Sequence, residues 1–261
     1  MRIEFLTQDD PLYILIFFEE FLRHYDSEFS ILQISSTSTM GKRSRLQMLK
    51  ELRALYGTAG IAKLLGEVGY SRILGKFPKT RDAARFYTLE QIARSHEIPY
   101  RKIGNPNAPN FIDTVREREA DVIVSVACPY ILKSALLSLP RRGAINIHHA
   151  PLPKYKGMMP TFWQMFHGEP TVGVTVHFMA AKVDEGAALL QEQLAIEPNE
   201  TLDHLIRRSK RHGAHCMAKA LRQVASASQQ NIELKPQNGS YFSFPSLEDI
   251  REFHRKGLRA I

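Results

Sequence analysis

The sequence predicts an α/β fold built on a mostly parallel β-sheet, and three observations lead to this fold class. The amino-terminal part reads as strand, helix and strand over residues 2–7, 10–24 and 30–36. Residues 121–127 (DVIVSVA) form a continuous apolar run, which is typical of a strand buried on both faces of a parallel sheet. The alternation of strands and helices returns after residue 85 and continues to about residue 228.

The first helix is predicted from an apolar run over residues 12–18. Asp10 is placed to cap this helix, with Pro11 at the first helical position. Acidic residues flank the run on both sides, which is the wrong charge pattern for a signal peptide. The run is also far shorter than the roughly 20 residues that cross a bilayer. We therefore interpret it as a buried helix start and expect no transmembrane segment.

The turn after the first strand carries neither of the common phosphate-binding motifs. A dinucleotide-binding fold would place GxGxxG there, and a P-loop would place GxxxxGK[ST] there. Residues 7–11 read TQDDP instead, with no glycine and two negative charges. Both types of nucleotide site are excluded at this position.

The elements after residue 85 are predicted from local periodicity and turn residues. The predicted strands cover residues 99–103, 121–127, 144–148, 173–179 and 188–195. The predicted helices cover residues 89–96, 111–119, 129–137, 161–166, 201–228 and 247–256.

Residues 40–85 form a basic insertion in this pattern. They contain eleven Lys and Arg against three Asp and Glu, a surplus that equals the net charge of +8 of the whole chain. Leucines recur at helical spacing, and four glycines predict a break into short amphipathic pieces (Gly57, Gly60, Gly66 and Gly69). Three interpretations stay open: a solvated basic face, steering of a phosphate-bearing substrate, or docking on an anionic membrane or nucleic acid.

Length and composition indicate a soluble globular protein of one main domain. We predict a catalytic domain over residues 1–228, with the insertion at about 40–85, and a small carboxy-terminal extension over residues 229–261. The two cysteines, Cys128 and Cys216, are far apart and form no CxxC pair, which favours a reducing, cytoplasmic compartment. A homodimer is left open.

Residues 143–186 concentrate polar groups within apolar surroundings. In a strand over residues 144–148, Asn146 and His148 point to one face, whereas His149 has the opposite parity. Ligands of parallel sheets bind beyond the carboxyl ends of the strands, so residues 128–130 and His148-His149 should line one crevice.

Asn146, His148 and Asp184 together favour direct attack on a carbonyl group. No GxSxG nucleophile motif accompanies His148, and no HExxH-type spacing supports a metal centre, so we predict no metal. In this interpretation Asn146 stabilises the oxyanion, His148 transfers protons, and Asp184 orients the imidazole or relays a proton.

Four motifs in order resemble the signature of the folate-dependent formyltransferases, over roughly residues 85–225. They are Asn146-Ile-His148, then Leu152-Pro153-Lys-Tyr-Lys-Gly157 with Pro160 and Trp163, then Gly173-Val-Thr175-Val-His177, and finally Asp184-Glu-Gly186. The family includes glycinamide ribonucleotide transformylases, methionyl-tRNA formyltransferases and sugar-nucleotide N-formyltransferases.

The resemblance implies a Rossmann-like domain that passes the formyl group of 10-formyltetrahydrofolate to an amine without a covalent enzyme intermediate. Asn146 and His148 would bind the formyl oxygen, and Asp184 would hold His148 and assist proton removal from the amine. The pterin would enter a pocket that also involves Val183 and the loop Ala127, Cys128, Pro129, Tyr130, Ile131 and Leu132. Tyr155, Lys154 and His177 are the candidate substrate-binding residues.

The chain also departs from the family pattern. Ala150-Pro151 replaces the common Ser-Leu after the histidine, and the glycine-rich loop of glycinamide ribonucleotide transformylases is absent. Only a short tail follows residue 228 where methionyl-tRNA formyltransferases carry a barrel domain. We therefore expect a small amine acceptor that carries phosphate, an amino sugar nucleotide, and disfavour nucleic acid. The alternatives are a methionyl-tRNA formyltransferase, a formyltetrahydrofolate hydrolase and a non-catalytic binding module.

Overall fold

The computed structural model describes residues 1–38, 45–180, 184 and 186–261. Its main sheet contains seven strands in the order β3-β2-β1-β4-β5-β7-β8, and a separate two-stranded sheet pairs β6 with β9. The strands are β1 (Arg2–Gln8), β2 (Ser30–Thr37), β3 (Tyr100–Ile103), β4 (Val122–Val126), β5 (Ala144–His148), β6 (Lys156–Gly157), β7 (Thr171–Phe178), β8 (Ala188–Ala195) and β9 (Tyr241–Phe242).

Helices cover both faces of the main sheet. They are α1 (Ile14–Tyr25), α2 (Arg45–Leu74), α3 (Leu89–Ser95), α4 (Pro109–Arg118), α5 (Ser134–Leu137), α6 (Pro160–Phe166), α7 (Leu202–Ala225) and α8 (Leu247–Arg255). None of the helices that the structure describes is long and apolar enough to cross a membrane.

The sheet is parallel from β3 to β5, while β7 and β8 are antiparallel to their neighbours. The predicted α/β class with a mostly parallel sheet is therefore confirmed. Strand order reverses between β1 and β4, and the crevice at such a reversal is where α/β folds bind ligands.

The two faces of the sheet bury different residues. On one face, Ile145 and Ile147 of β5 pack in a large core with α1, α3 and α7. On the other face, Ala144 packs in a smaller core with α4 and α5. Because side chains alternate along a strand, Asn146 and His148 share the face of Ala144.

A third core lies beside the sheet and joins α2, α6, α8 and the first turns of α7. Its buried residues include Leu55, Phe162, Leu205 and Phe253. Residues 229–261 contribute to it through α8, and their backbone also pairs with β6 and bridges Ala188 to Ile232. The carboxy-terminal segment is thereby packed against the side of the sheet.

Three local predictions were wrong in whole or in part. Helix α1 begins at Ile14, because Asp10 accepts the N–H groups of Leu12 (2.7 Å) and Tyr13 (3.2 Å) and so closes a separate turn ahead of the helix. Helix α2 has non-helical torsion angles only at Gly57, where φ is +68°. The predicted break is therefore confirmed at Gly57, where two helical segments meet, and is wrong at Gly60, Gly66 and Gly69, which retain helical geometry.

The third error is the predicted helix over residues 129–137, of which only Ser134–Leu137 is helical. Asn107 explains the difference, because its side chain holds the preceding loop from both sides. Its Nδ2 donates to the Ile131 carbonyl at 3.0 Å, and its Oδ1 accepts the Lys133 N–H at 2.8 Å. These bonds replace the hydrogen bonds of a helical turn.

Candidate active site

A cavity of about 800 Å³ lies at the carboxyl ends of β1, β4 and β5. Asn146, His148, His177 and Asp184 all line it. Asn146 and His148 come from alternate positions of β5, and His177 lies opposite Asn146 on the antiparallel strand β7. The pairing of β5 with β7 therefore brings His177 beside Asn146, on the strand that also carries His148.

The amide of Asn146 is oriented by His177. The Nδ1 atom of His177 lies 2.8 Å from the Phe178 carbonyl, to which it donates, so Nε2 is left to accept a hydrogen bond. This Nε2 lies 3.2 Å from Nδ2 of Asn146 and accepts a hydrogen bond from one of its two N–H groups. The second N–H of the amide remains for a ligand oxygen.

The imidazole of His148 is oriented by a main-chain carbonyl. Its Nε2 donates to the Tyr155 carbonyl oxygen at 2.8 Å, which leaves the lone pair of Nδ1 on the side of Asp184. The Nδ1 atom lies 3.7 Å from Oδ2 of Asp184. Burial lowers the pKa of His148 below its ordinary value, with smaller opposing contributions from Asp184 and the Tyr155 carbonyl. The ring is therefore neutral at pH 7 and able to accept a proton at Nδ1.

Asp184 lies between the two histidines as a carboxylate. Burial acts to raise its pKa, but the adjacent imidazoles of His177 and His148 and the Gly157 N–H outweigh burial and bring the pKa to about 2. Oδ1 lies 3.6 Å from Nε2 of His177, and Oδ2 accepts the Gly157 N–H at 3.4 Å. A carboxylate in this position stabilises an imidazolium formed at His148.

Two glycines allow the backbone to bring Asp184 to this place. A Cβ at Gly186 would lie 1.8 Å from the Phe178 carbonyl oxygen, and a Cβ at Gly157 would lie 2.2 Å from that of Phe242. Gly157 also has φ +95°, in the region that favours glycine. No larger residue fits at either position without moving the backbone around Asp184.

Comparison with known proteins identifies the family. Residues 83–221 match the sequence model of the family described as formyl transferase. The matched span is more than half of the chain and contains Asn146, His148 and Asp184. This chain belongs to the formyltransferase family.

The relatives of this formyltransferase-family chain act on several acceptors. This chain is 35% identical over 161 residues to the methionyl-tRNA formyltransferase of Chlorobium chlorochromatii (strain CaD3). The match covers 62% of this chain and 50% of the relative. The chain spans about half the length of the first curated relatives it matches.

Two solved structures are similar in fold. Glycinamide ribonucleotide transformylase 1 from Symbiobacterium toebii has a TM-score of 0.61 and 17% identity, and the match covers 90% of this chain and 94% of that one. The formyltransferase PseJ from Anoxybacillus kamchatkensis, solved with a UDP-linked formamido sugar and tetrahydrofolate, has a TM-score of 0.51 and 17% identity over 98% and 90% of the two chains. At these identities the similarity shows the fold.

The six residues of the loop after β4 that the family resemblance singles out all line the cavity. They are Ala127, Cys128, Pro129, Tyr130, Ile131 and Leu132. Ala127 has φ +54°, a left-handed conformation that turns the chain away from β4, and Asn107 holds the loop at Ile131. Val183 lies outside the described residues. The loop over residues 127–132 therefore forms one wall of the cavity.

The other candidate substrate residues are distributed differently. His177 lies inside the cavity, whereas Tyr155 and Lys154 are not part of its lining. The hydroxyl of Tyr155 donates to Glu169 at 2.7 Å and its ring stacks on Phe242, while Lys154 is exposed. What Tyr155 offers the site is its carbonyl oxygen, which holds His148.

Two charged residues of the cavity lining were missed by sequence reasoning. Lys210 of α7 and Asp10 of the first turn both line it. The available signal was spacing, because Lys210 follows Leu202 and Ile206 at intervals of four and so occurs on an inward side of its helix. His149, which was set aside on parity, faces α7 and bonds Ser209 through Nδ1 at 2.7 Å.

Proposed function

We propose that this chain transfers the formyl group of 10-formyltetrahydrofolate to the amine of a small acceptor, and that the acceptor is an amino sugar nucleotide. The observation that carries the proposal is the convergence of Asn146, His148 and Asp184 in one cavity, with a neutral imidazole next to a carboxylate. We also infer a cytoplasmic location, since Cys128 and Cys216 are both free thiols.

The residues of the cavity suit a formyl donor. The loop over residues 127–132 offers main-chain groups outside any helix or strand ladder, which suits a flat heterocycle with several donors and acceptors. The free N–H of Asn146 is available for the formyl oxygen.

The proposed reaction proceeds by direct attack. The amine nitrogen adds to the formyl carbon, and the negative charge that develops on the formyl oxygen is stabilised by the N–H of Asn146. His148 accepts the proton of the attacking amine at Nδ1, and Asp184 stabilises the resulting imidazolium. The bond from the formyl carbon to the donor nitrogen then breaks, and that nitrogen receives the proton.

The basic surplus of residues 40–85 and the lysine in the cavity favour an acceptor with phosphate groups. A second candidate acceptor is methionyl-tRNA, which is favoured by the 35% identity to a methionyl-tRNA formyltransferase. Hydrolysis of the donor is a third outcome, in which water replaces the amine.

An assay with three arms separates these activities. The purified chain is mixed with 10-formyltetrahydrofolate and a panel of nucleotide-linked amino sugars, with methionyl-tRNA, or with buffer alone, and formamide product and free formate are measured by mass spectrometry. We expect a formamide product in the sugar arm. Product only with tRNA, or formate only, would replace the proposed acceptor.

Variants test the catalytic roles. We expect His148→Ala and Asp184→Ala each to lower kcat about 10²- to 10⁴-fold, and Asn146→Ala to lower it about 10²- to 10³-fold. His204→Ala is the matched control, because His204 is an exposed histidine that bonds Glu200 away from the cavity. Full activity in a folded His148→Ala plus Asp184→Ala protein would rule out this mechanism.

A further inference from the structure

Lys210 is a cation inside the cavity that has no partner in the part of the chain that the structure describes. It lies on α7, and its side chain makes no hydrogen bond and no ion pair with a described residue. Of the described residues that line the cavity, it is the one Lys or Arg. Burial lowers the pKa of its amine to about 8, with Asp10 acting in the opposite direction, so the amine is still mostly protonated at pH 7.

Arg207, three positions before Lys210 on α7, is differently placed. Arg207 donates through its Nε to Asp203 at 2.9 Å and through its guanidinium to Glu67 at 3.0 Å. Its charge is thus neutralised by two carboxylates outside the cavity lining. Lys210 has no such carboxylate partner among the described residues, so its charge is open to an anion that enters the cavity.

Asp10 supplies a second polar group to the same cavity. Its Oδ1 accepts the N–H groups of Leu12 and Tyr13, which fixes the carboxyl group at the end of β1. Its Oδ2 makes no hydrogen bond to any described residue. It lies near enough to Lys210 for their charges to affect each other, but the two do not form a direct ion pair among the described contacts.

Lys210 also lies near the reacting centre. It lines the same cavity as His148, and its charge adds to the effect of burial in lowering the pKa of His148 and His149. A group bound by Lys210 would therefore share the cavity with an amine that His148 deprotonates. The turn after β1 has no glycine-rich phosphate loop, so Lys210 is the cationic group that the described cavity lining offers to an anion.

We propose that Lys210 binds an anionic oxygen group of the acceptor, a phosphate or a carboxylate, while Asp10 accepts a hydrogen bond from a hydroxyl or amino group of the same molecule. The subsite rests on the proposed function, whose amine acceptor it would orient. It defines the substrate class as amines that carry an acidic group a few bonds from a hydrogen-bond donor.

The test measures binding of small anions to the folate-loaded protein. Inorganic phosphate is titrated by ³¹P NMR line broadening and acetate by saturation-transfer NMR, each in the presence of 5-formyltetrahydrofolate. We expect Lys210→Met to weaken binding of at least one of these anions about tenfold or more, and Lys210→Arg to retain it. Phosphate and acetate distinguish the two kinds of acidic group.

Arg211→Met is the matched control, because it removes one positive charge from the next position of the same helix, where Arg211 is exposed. Equal weakening in Arg211→Met, or unchanged anion binding in Lys210→Met, would overturn the subsite. Weaker binding of 5-formyltetrahydrofolate in Lys210→Met, with anion binding unchanged, would assign Lys210 to the donor and also overturn it. Absence of folate binding to the unaltered chain would instead count against the proposed function, since the anion titrations can be repeated without folate.

Discussion

His148 illustrates how the environment of one residue selects its chemistry. The Tyr155 carbonyl fixes the proton on Nε2, and burial keeps the ring neutral, so the basic nitrogen is the one that faces Asp184. His149, the next residue, is also buried and has its pKa lowered, but its Nδ1 is bonded to Ser209 on the other side of the sheet. Two adjacent histidines thus have different roles because strand side chains alternate.

The low pKa of His148 leads to a prediction about the pH dependence of the rate. In the proposed reaction the neutral ring is the active form, so kcat/KM should rise with pH through an apparent pKa below 6.5 and be level above it. The groups that face His148 are Asp184, His177, Lys210 and the Tyr155 carbonyl. Lys210→Met removes a positive charge and should move the acidic limb to higher pH, whereas Asp184→Asn should move it to lower pH.

The measurement is a pH-rate profile over about pH 4.5 to 9 for the unaltered chain and for both variants, with Arg211→Met as the control. A limb centred above pH 7 in the unaltered chain would contradict the prediction. So would two variants whose limbs move in the same direction.

At the scale of elements, the site depends on how the loop that carries Asp184 packs against strands β5 and β7. Gly186 is the tightest point of this fit, since a Cβ would be 1.8 Å from the Phe178 carbonyl oxygen at the end of β7. We predict that Gly186→Ala displaces Asp184 and lowers kcat about 10²-fold or more, because a misplaced catalytic group costs that much. The folate dissociation constant should change little.

Activity and folding of Gly186→Ala are measured together, by steady-state kinetics and by circular dichroism. Gly66→Ala is the control, because a Cβ at Gly66 would meet no atom within 4 Å and Gly66 lies in the helix α2. A folded Gly186→Ala protein with unaltered kcat would show that the loop adapts without moving Asp184.

Strand β5 and the loop after β4 show what the sequence can and cannot predict. The bounds of β5, Ala144–His148, were predicted correctly because apolar and polar residues alternate through it. The loop over residues 129–133 was predicted as helix because its local pattern is compatible with one, whereas Asn107, more than twenty residues earlier, holds it open. Lys210 and Asp10 were missed for the same reason, since only the fold brings α7 beside the end of β1.

At the scale of the whole molecule, the third core connects the catalytic region to the carboxy-terminal segment. Phe253 of α8 is fully buried and stacks on Phe162 of α6, with 4.8 Å between ring centroids. Trp163, the next residue of α6, donates its indole N–H to the Ser243 carbonyl at 2.9 Å. The segment that follows residue 228 therefore stabilises the helix that lines one side of the cavity.

Removal of this buried ring should be costly. We predict that Phe253→Ala lowers the free energy of unfolding by about 3 to 5 kcal/mol, the usual range for a buried phenylalanine. Phe77→Ala is the matched control, because the side chain of Phe77 is 61% exposed and its removal should change stability by less than ~0.5 kcal/mol. Urea unfolding of both variants measures the two free energies of unfolding. Equal values would mean that the third core does not unfold cooperatively with the sheet.

The two walls of the cavity come from different parts of the chain, and this separation bears on how the protein could diverge. The groups proposed to act on the formyl donor lie on β5, β7 and the loop after β4, whereas Lys210 lies on α7 and Asp10 after β1. Substitutions on α7 or after β1 can change the shape and charge of one wall without altering the spacing of Asn146, His148 and Asp184. New acceptors could thus be acquired by small mutational steps while an ancestral formyl-transfer reaction is retained.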